Sequence, residues 1–337
     1  MENKMIRKPY AAISCLFITF NLHAKPFEVH ATAATDLPIQ RSDIMDDLAI
    51  WVNTKDPSKS LILATNKEEP YGGLYVYSLD GKLKESYQIG PINNVDIRAN
   101  FSYDHTVMDI AAATYKKDKG LAFFAVHPET GKIAYLGLGD HTFEKTPYGI
   151  CLQKQEDAFY AIVTFKYTGA EKWQFWAENN RIHMEKVLSY PIQSLAEGCV
   201  VDDHTGTVFI GEEDRGIWAF PEKAPGKMIA RVGENGLTAD VEGLALYGGK
   251  YLIASSQGSC SYNIYKPSPP YSFLGSFKIT PGTHEGTEET DGIDVTEANL
   301  GGPYTNGLFV AHDNRSSKGG GSNFKLVPWD EIQRGLN

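Results

Sequence analysis

Cysteine is scarce in this chain of 337 residues: Cys15, Cys151, Cys199 and Cys260 are all there is. Setting aside an N-terminal leader leaves three, and an odd number does not make a disulfide framework. Cys151 and Cys199 stand in apolar, strand-like runs and read as buried free thiols. Long hydrophobic runs are also missing. The mostly apolar stretch from Ala11 to Leu22 is too short to span a bilayer, so no membrane partner is expected. Positive charge is in deficit, with a formal net charge of −10. That excludes binding to nucleic acid or an anionic membrane through the overall field. No Ser-His-Asp pattern, phosphate-cradling glycine loop or nucleophile elbow occurs. Nine histidines are present, but none recurs in register, which argues against zinc.

The leader itself is legible. Lys4, Arg7 and Lys8 make a basic start, the apolar stretch follows, and Leu22-His23-Ala24 resembles a small-residue cleavage site. Residues 1–24 therefore read as a secretory signal peptide, leaving 25–337 as the mature domain, exported to a periplasm or to the medium. Its removal takes the charge from −10 to −12. So acidic a protein can still bind an anion if metal ions lie between them.

What is abundant is aromatic residues and glycine, which favour strands and tight turns. A short motif also repeats: a polar residue, a small or apolar one, then a strand-like run. It begins at Asp47, Asn94, Tyr148, Glu197, Glu242 and Asp291, at intervals of 45 to 54 residues. Each copy is followed by a second apolar strand with a polar end, at Lys67, Lys116, Lys166, Glu213, Gln257 and Asp313. Six units of this length, each with three or four short strands, predict an all-β fold: a six-bladed β-propeller. Residues 25–40 are expected to complete the last blade with an added strand. If the first two strands of each blade are antiparallel neighbours, both polar positions face the same end of the channel.

The rim then divides. Lys67, Lys116 and Lys166 belong to the first three units; Glu197, Glu213, Asp240, Glu242, Gln257, Asp291 and Asp313 belong to the last three. Glu285, Glu288 and Glu289 lie in a loop before Asp291. So many carboxylates cannot sit together unpaired. A rim of Asp, Glu, Gln, Asn and Tyr without Cys or His suits Ca²⁺, which takes oxygen ligands. Lysines opposite bound cations point to an anionic ligand such as a phosphate ester. Divalent ions can activate water and stabilise a transferring phosphoryl group.

At these residues the chain resembles the β-propeller phytases, the calcium-dependent alkaline phytases of 3-phytase type. The resemblance runs over residues 40–335 and rests on Asp46-Asp47-Leu48-Ala49-Ile50-Trp51, Asn93-Asn94-Val95-Asp96, Glu197-Gly198-Cys199, Glu212-Glu213-Asp214, Asp240-Val241-Glu242-Gly243, Ser255-Ser256-Gln257-Gly258 and Thr290-Asp291-Gly292. It implies hydrolysis of myo-inositol hexakisphosphate, presented as calcium phytate to a monomeric enzyme. It implies a catalytic calcium cluster on Tyr148, Glu197, Glu213, Asp240, Glu242, Gln257 and Asp291. It also implies phosphate contacts from Lys67, Lys116 and Lys166, and a metal-bridging water as nucleophile. Glu213, Tyr148, Lys67 and Lys166 are then the catalytic candidates. Asp47 matches an aspartate near the calcium sites, Asp313 one near a structural calcium, and Glu285 replaces an aspartate ligand. The chain departs from the family at Leu48, Glu68, Tyr115-Lys116 and Tyr167; Lys116 stands where an arginine is usual, and lysine cannot reproduce a bidentate contact. Two other readings remain at this level: a calcium-dependent lactonase or esterase on the same propeller, and a non-catalytic ligand-binding propeller.

Overall fold

The computed structural model describes residues 25–39, 42–167, 169–314 and 321–336; the expected signal peptide lies outside them. The strands form six sheets, each a blade of four antiparallel strands. The innermost strands, in chain order, are Met45–Trp51, Ile92–Tyr103, Pro147–Gln155, Ala196–Asp202, Val241–Tyr247 and Ile293–Thr296. Each packs against its counterpart in the next blade, and the last packs against the first, which closes the ring.

The reason the strands read as continuous apolar runs is visible in the packing. The inner strands of each blade are covered on both faces, so both alternating sets of their side chains are buried, while outer strands such as Leu83–Tyr87 stay exposed. Six hydrophobic clusters result, one at every boundary between blades. In blade 1, for example, Ile50 and Ile62 face Leu308 and Val310 of blade 6. Their neighbours Trp51 and Leu63 face Ala111 and Phe124 of blade 2.

The expected added strand is present. Ala33–Ala34 pairs antiparallel with Ser322–Pro328 and becomes the fourth strand of blade 6. A preceding strand, Phe27–Val29, pairs parallel with Phe273–Ile279 at the edge of blade 5. One end of the domain thus fastens the other.

The reading of Cys151 and Cys199 as free thiols is corrected. They form a disulfide, with Cα atoms 5.6 Å apart. They lie on the inner strands of blades 3 and 4, facing one another across the boundary. Parity hid the pair: Cys260 is the odd residue left over.

Candidate metal and phosphate site

The antiparallel pairing brings the two polar positions of a blade together, as the repeat implied. Met45 lies opposite Asn66, Ala196 opposite Glu212 and Val241 opposite Ser256. In five blades the register of the inner strand slips just there. Such bulges re-aim side chains, and here they turn the motif residues over the mouth of the channel.

Two devices lock that geometry. A threonine in the second strand of each of blades 1–3 ties the bulge to the next blade. Thr65 accepts from Asp47 N and donates to Asn93 O. Thr114 accepts from Asn94 N and donates to Tyr148 O at 2.8 Å. Thr164 accepts from Gly149 N and donates to Glu197 O at 3.4 Å. The sequence carries this as Thr-x-Lys in all three blades, a signal beyond the polar ends themselves. The second device is the glycine of the motif. A Cβ on Gly149 would sit 1.8 Å from the Glu197 carbonyl oxygen, and one on Gly198 1.9 Å from that of Glu242. No side chain fits where one blade's rim lies on the next.

On this frame Glu197, Glu213 and Glu242 converge. Carboxylate oxygens of the three lie within 4.8 Å of one another. All three side chains are buried, at 4%, 6% and 5% exposure. Glu213 Oε1 and Glu242 Oε2 have no hydrogen-bond partner among the described residues. Burial, then neighbouring carboxylates, pushes the acids of Glu197 and Glu242 well above the usual range. Burial, with Asp240 and Asp214 nearby, raises Glu213 to about 7. Tyr148 joins them: burial and the charges of Glu197 and Glu242 keep its hydroxyl protonated.

A second group adjoins the first. Asp43, Asp291 and His312 also bring ligand atoms within 4.8 Å of one another. Lys67 Nζ lies among them, 2.7 Å from Asp46, 3.2 Å from Asp43 and 3.3 Å from Asp291. Burial alone would lower the lysine pKa, but Asp46, Asp291 and Asp43 together raise it. Burial and Asp46 lift Asp291 to about 7 against the pull of Lys67. Gln257 Nε2 donates to Asp291 Oδ1 at 2.6 Å. Asn93 Nδ2 joins the two groups, donating to Asp46 Oδ2 at 2.7 Å and to Glu197 Oε1.

The other two lysines complete the rim. Lys116 is half-buried, and burial holds its pKa down, with Lys67 and Lys166 adding repulsion. Lys166 Nζ stands 5.2 Å from the centre of the Tyr148 ring. Neither makes an ion pair within 4.0 Å among the described residues.

Buried, unpartnered carboxylate oxygens are costly unless a cation meets them. The donors at the first group are carboxylate and phenol oxygens, the chemistry of a hard cation. The residues fit such an ion. A phytase family profile matches residues 6–337.

The chain belongs to the phytase family.

The activity that goes with that family is hydrolysis of the phosphate monoesters of phytate. A curated relative, the 3-phytase of Bacillus subtilis (strain 168), is 37% identical over 330 residues, covering 92% of this chain and 86% of the relative. Solved structures agree on the fold alone. Virginiamycin B lyase from Staphylococcus aureus superposes with a TM-score of 0.50 at 11% identity, covering 87% of this chain and 98% of that one. The β-propeller domain of Cps50 (Swd1) from Myceliophteria thermophila also gives 0.50 at 13% identity, over 84% and 82%.

For this phytase, the remaining site candidates fall in different places. Asp47 turns away from its neighbour Asp46 and lines the central channel with Asp96 and Asp294. Its carboxylate accepts from Val95 N at 3.2 Å. Asp240 contributes its charge beside Glu213 and Glu242. Asp313 is fully buried, 2.5 Å from Lys325 Nζ, and accepts from Glu288 N at 2.9 Å. Glu285 is exposed in its loop and belongs to neither acidic group. Lysine and acid are interleaved at Lys67, where the sequence suggested two facing halves. Asp43, Asp46, Asn93 and His312 join the site without having stood out in the sequence. Asp46 had a signal, being half of the Asp46-Asp47 pair, but which member faces the rim is set by the bulge. Glu212, beside Glu213, is turned away: Gln193 N, Ser194 N, Ser194 Oγ and Trp218 Nε1 donate to it.

Proposed function

We propose that the protein is a secreted, calcium-dependent 3-phytase acting on calcium phytate as a monomer. The observation that carries this is the cluster of Glu197, Glu213 and Glu242, with unpartnered buried oxygens, beside Lys67, Lys116 and Lys166. Tyr148, Glu197, Glu213, Asp240, Glu242, Gln257 and Asp291 would hold catalytic calcium, with Asp47, Glu285 and Asp313 as further candidate ligands. Bound there, calcium would lower the pKa of a water and neutralise phosphate oxygens. The rest falls to the chain. Lys67, Lys116 and Lys166 bind phosphate oxygens and hold the ester against the acidic cluster. Lys67 already stands between Asp46 and Asp291, so it can exchange a carboxylate for a phosphate without crossing open solvent. Tyr148 keeps its proton and offers an O–H beside Glu197. Removing phosphoryl groups in this way needs positioning and charge, with no covalent enzyme intermediate.

Three lysines at the acidic rim favour this reading over a lactonase, which has no anion to hold. The Cys151–Cys199 disulfide supports an oxidising destination, and with it the reading of residues 1–24 as a signal peptide. The test is phosphate release from phytate with chelator and with restored Ca²⁺, products resolved by chromatography. Activity should vanish and return, with the 3-phosphate removed first; full activity in chelator would overturn the calcium reading.

A further inference from the structure

We propose that the Cys151–Cys199 disulfide is a positioning element of the metal site, setting the separation of Tyr148 and Glu197 and so the affinity of the acidic cluster for a divalent cation. The proposal rests on the reading of that cluster as a metal centre.

Tyr148 lies three residues before Cys151 on the inner strand of blade 3, and Glu197 two before Cys199 on that of blade 4. At the rise of an extended strand these are about 10 Å and about 7 Å of chain. The bond therefore joins the two inner strands within three residues of both side chains. The two strands belong to different sheets, so no ladder of hydrogen bonds fixes their spacing.

Three other boundaries carry a backbone hydrogen bond at the rim. Gly243 N donates to Asp291 O at 2.9 Å between blades 5 and 6, and Gly292 N to Asp46 O at 3.1 Å between blades 6 and 1. Val241 N donates to Glu213 O at 3.0 Å between blades 4 and 5. Between blades 3 and 4 no backbone hydrogen bond joins the inner strands among the described residues. The threonine link there, Thr164 to Glu197 O, is 3.4 Å, against 2.8 Å for Thr114 to Tyr148 O. Of the three threonine links at the rim, the longest lies at the boundary with the covalent bond; farther down that boundary Lys154 N donates to Asp203 Oδ1 at 3.1 Å. It is also the boundary that Tyr148 and Glu197 straddle. Gly149, pressed on the Glu197 carbonyl, leaves no side chain to wedge the two apart or hold them.

The bond is reachable. Cys199 is 8% exposed and lines the central channel, whose cavity is about 220 Å³. A small dithiol entering there would supply two electrons and two protons. The S–S bond breaks, two S–H groups form, and the dithiol leaves as its own disulfide. Two thiols pack farther apart than two bonded sulfurs, so the rim above is released.

The experiment is calorimetric titration with Ca²⁺ alone on oxidised protein, dithiol-reduced protein and the Cys151→Ser/Cys199→Ser variant, each shown folded by near-ultraviolet circular dichroism at the titration temperature. Asp109→Asn serves as control. It loosens blades 1 and 2 by disturbing the bonds from Trp51 Nε1 and Asn100 N, away from the cluster. The reduced protein and the double variant should bind Ca²⁺ at least fivefold more weakly, and the control should bind as the oxidised protein does. Folded protein without the bond that binds within twofold of the oxidised form overturns the proposal and leaves the metal reading intact. Oxidised protein that binds no Ca²⁺ overturns the metal reading and this proposal with it. Should the serine variant not fold, Cys151→Ala/Cys199→Val replaces it: fivefold weaker binding supports the proposal, and binding within twofold overturns it.

Discussion

Lys67 Nζ sits 2.7 Å from the Asp46 carboxylate, so the lysine proposed to bind phosphate is held by an acid beside the group of Asp43, Asp291 and His312. Lysine and cation are alternative ways to neutralise Asp46 and Asp291. Removing the lysine leaves more uncompensated negative charge, which favours a cation, while the phosphate loses a charged contact. Lys67→Met should raise Ca²⁺ affinity several-fold by calorimetry. It should also lower kcat/KM on phytate by about 10- to 100-fold, the weight of a hydrogen bond to a charged group. Weaker calcium binding would show that Lys67 braces the cation site instead of competing with it.

Glu212 and Glu213 are neighbours in opposite surroundings. Glu213 has an unpartnered buried oxygen, while Glu212 accepts from two backbone amides, a hydroxyl and an indole. Glu213→Gln should cut activity by at least about 100-fold, the scale of losing a charge-stabilising group. In chelator its melting temperature should not fall, since a strained carboxylate is gone. Glu212→Gln should lower stability by about 1–3 kcal/mol through lost acceptors while calcium affinity stays unchanged. Melting curves with and without calcium separate the two.

The metal-free protein should lose stability as pH rises toward neutrality. Burial raises Glu213 and Asp291 to about 7, above their unfolded values. The native state therefore binds more protons than the unfolded chain between about pH 4 and 7. Stability from these groups is present below their unfolded pKa values and is lost as pH climbs through about 7. Calcium, which needs the ionised acids, should reverse the trend. Melting temperature against pH, in chelator and in excess Ca²⁺, should give lines of opposite slope across this range.

Gly198 tolerates no side chain. A Cβ there would meet the Glu242 carbonyl oxygen at 1.9 Å. Gly198→Ala must push blades 4 and 5 apart at the rim, and overpacking of this kind costs about 1–3 kcal/mol. Denaturant unfolding should show that loss, and calcium affinity should fall with it because Glu197 and Glu242 flank the contact. At Gly137 a Cβ meets nothing within 4 Å but φ is +103°, so Gly137→Ala should cost stability through backbone strain while leaving calcium binding intact.

Much of this site was legible before folding. The repeat of a polar residue ahead of an apolar run gave six blades because strand, turn and strand of fixed length must return each motif to the same height. Glu197, Glu213, Glu242 and Asp291 followed from that phase, and so did the three lysines. Other features had no phase to betray them. Asp46 and Asp47 are adjacent, and only the bulge after Met45 decides that Asp46 meets Lys67 while Asp47 enters the channel. Asn93 bridges Asp46 and Glu197, which stand 151 residues apart in sequence, through contacts that exist only once the ring closes.

The pattern of residues alone therefore determined a closed ring of six β-blades with an acidic, lysine-bearing rim. The apolar runs and their period predict a ring in which neighbouring blades cover one another's faces. Tertiary structure alone decided which acids are left without partners, where Lys67 finds its counter-charges, and that Cys151 meets Cys199. Those depend on separations of a few ångströms between neighbouring blades. Side-chain packing and close glycine contacts set those separations, and no spacing along the chain encodes them.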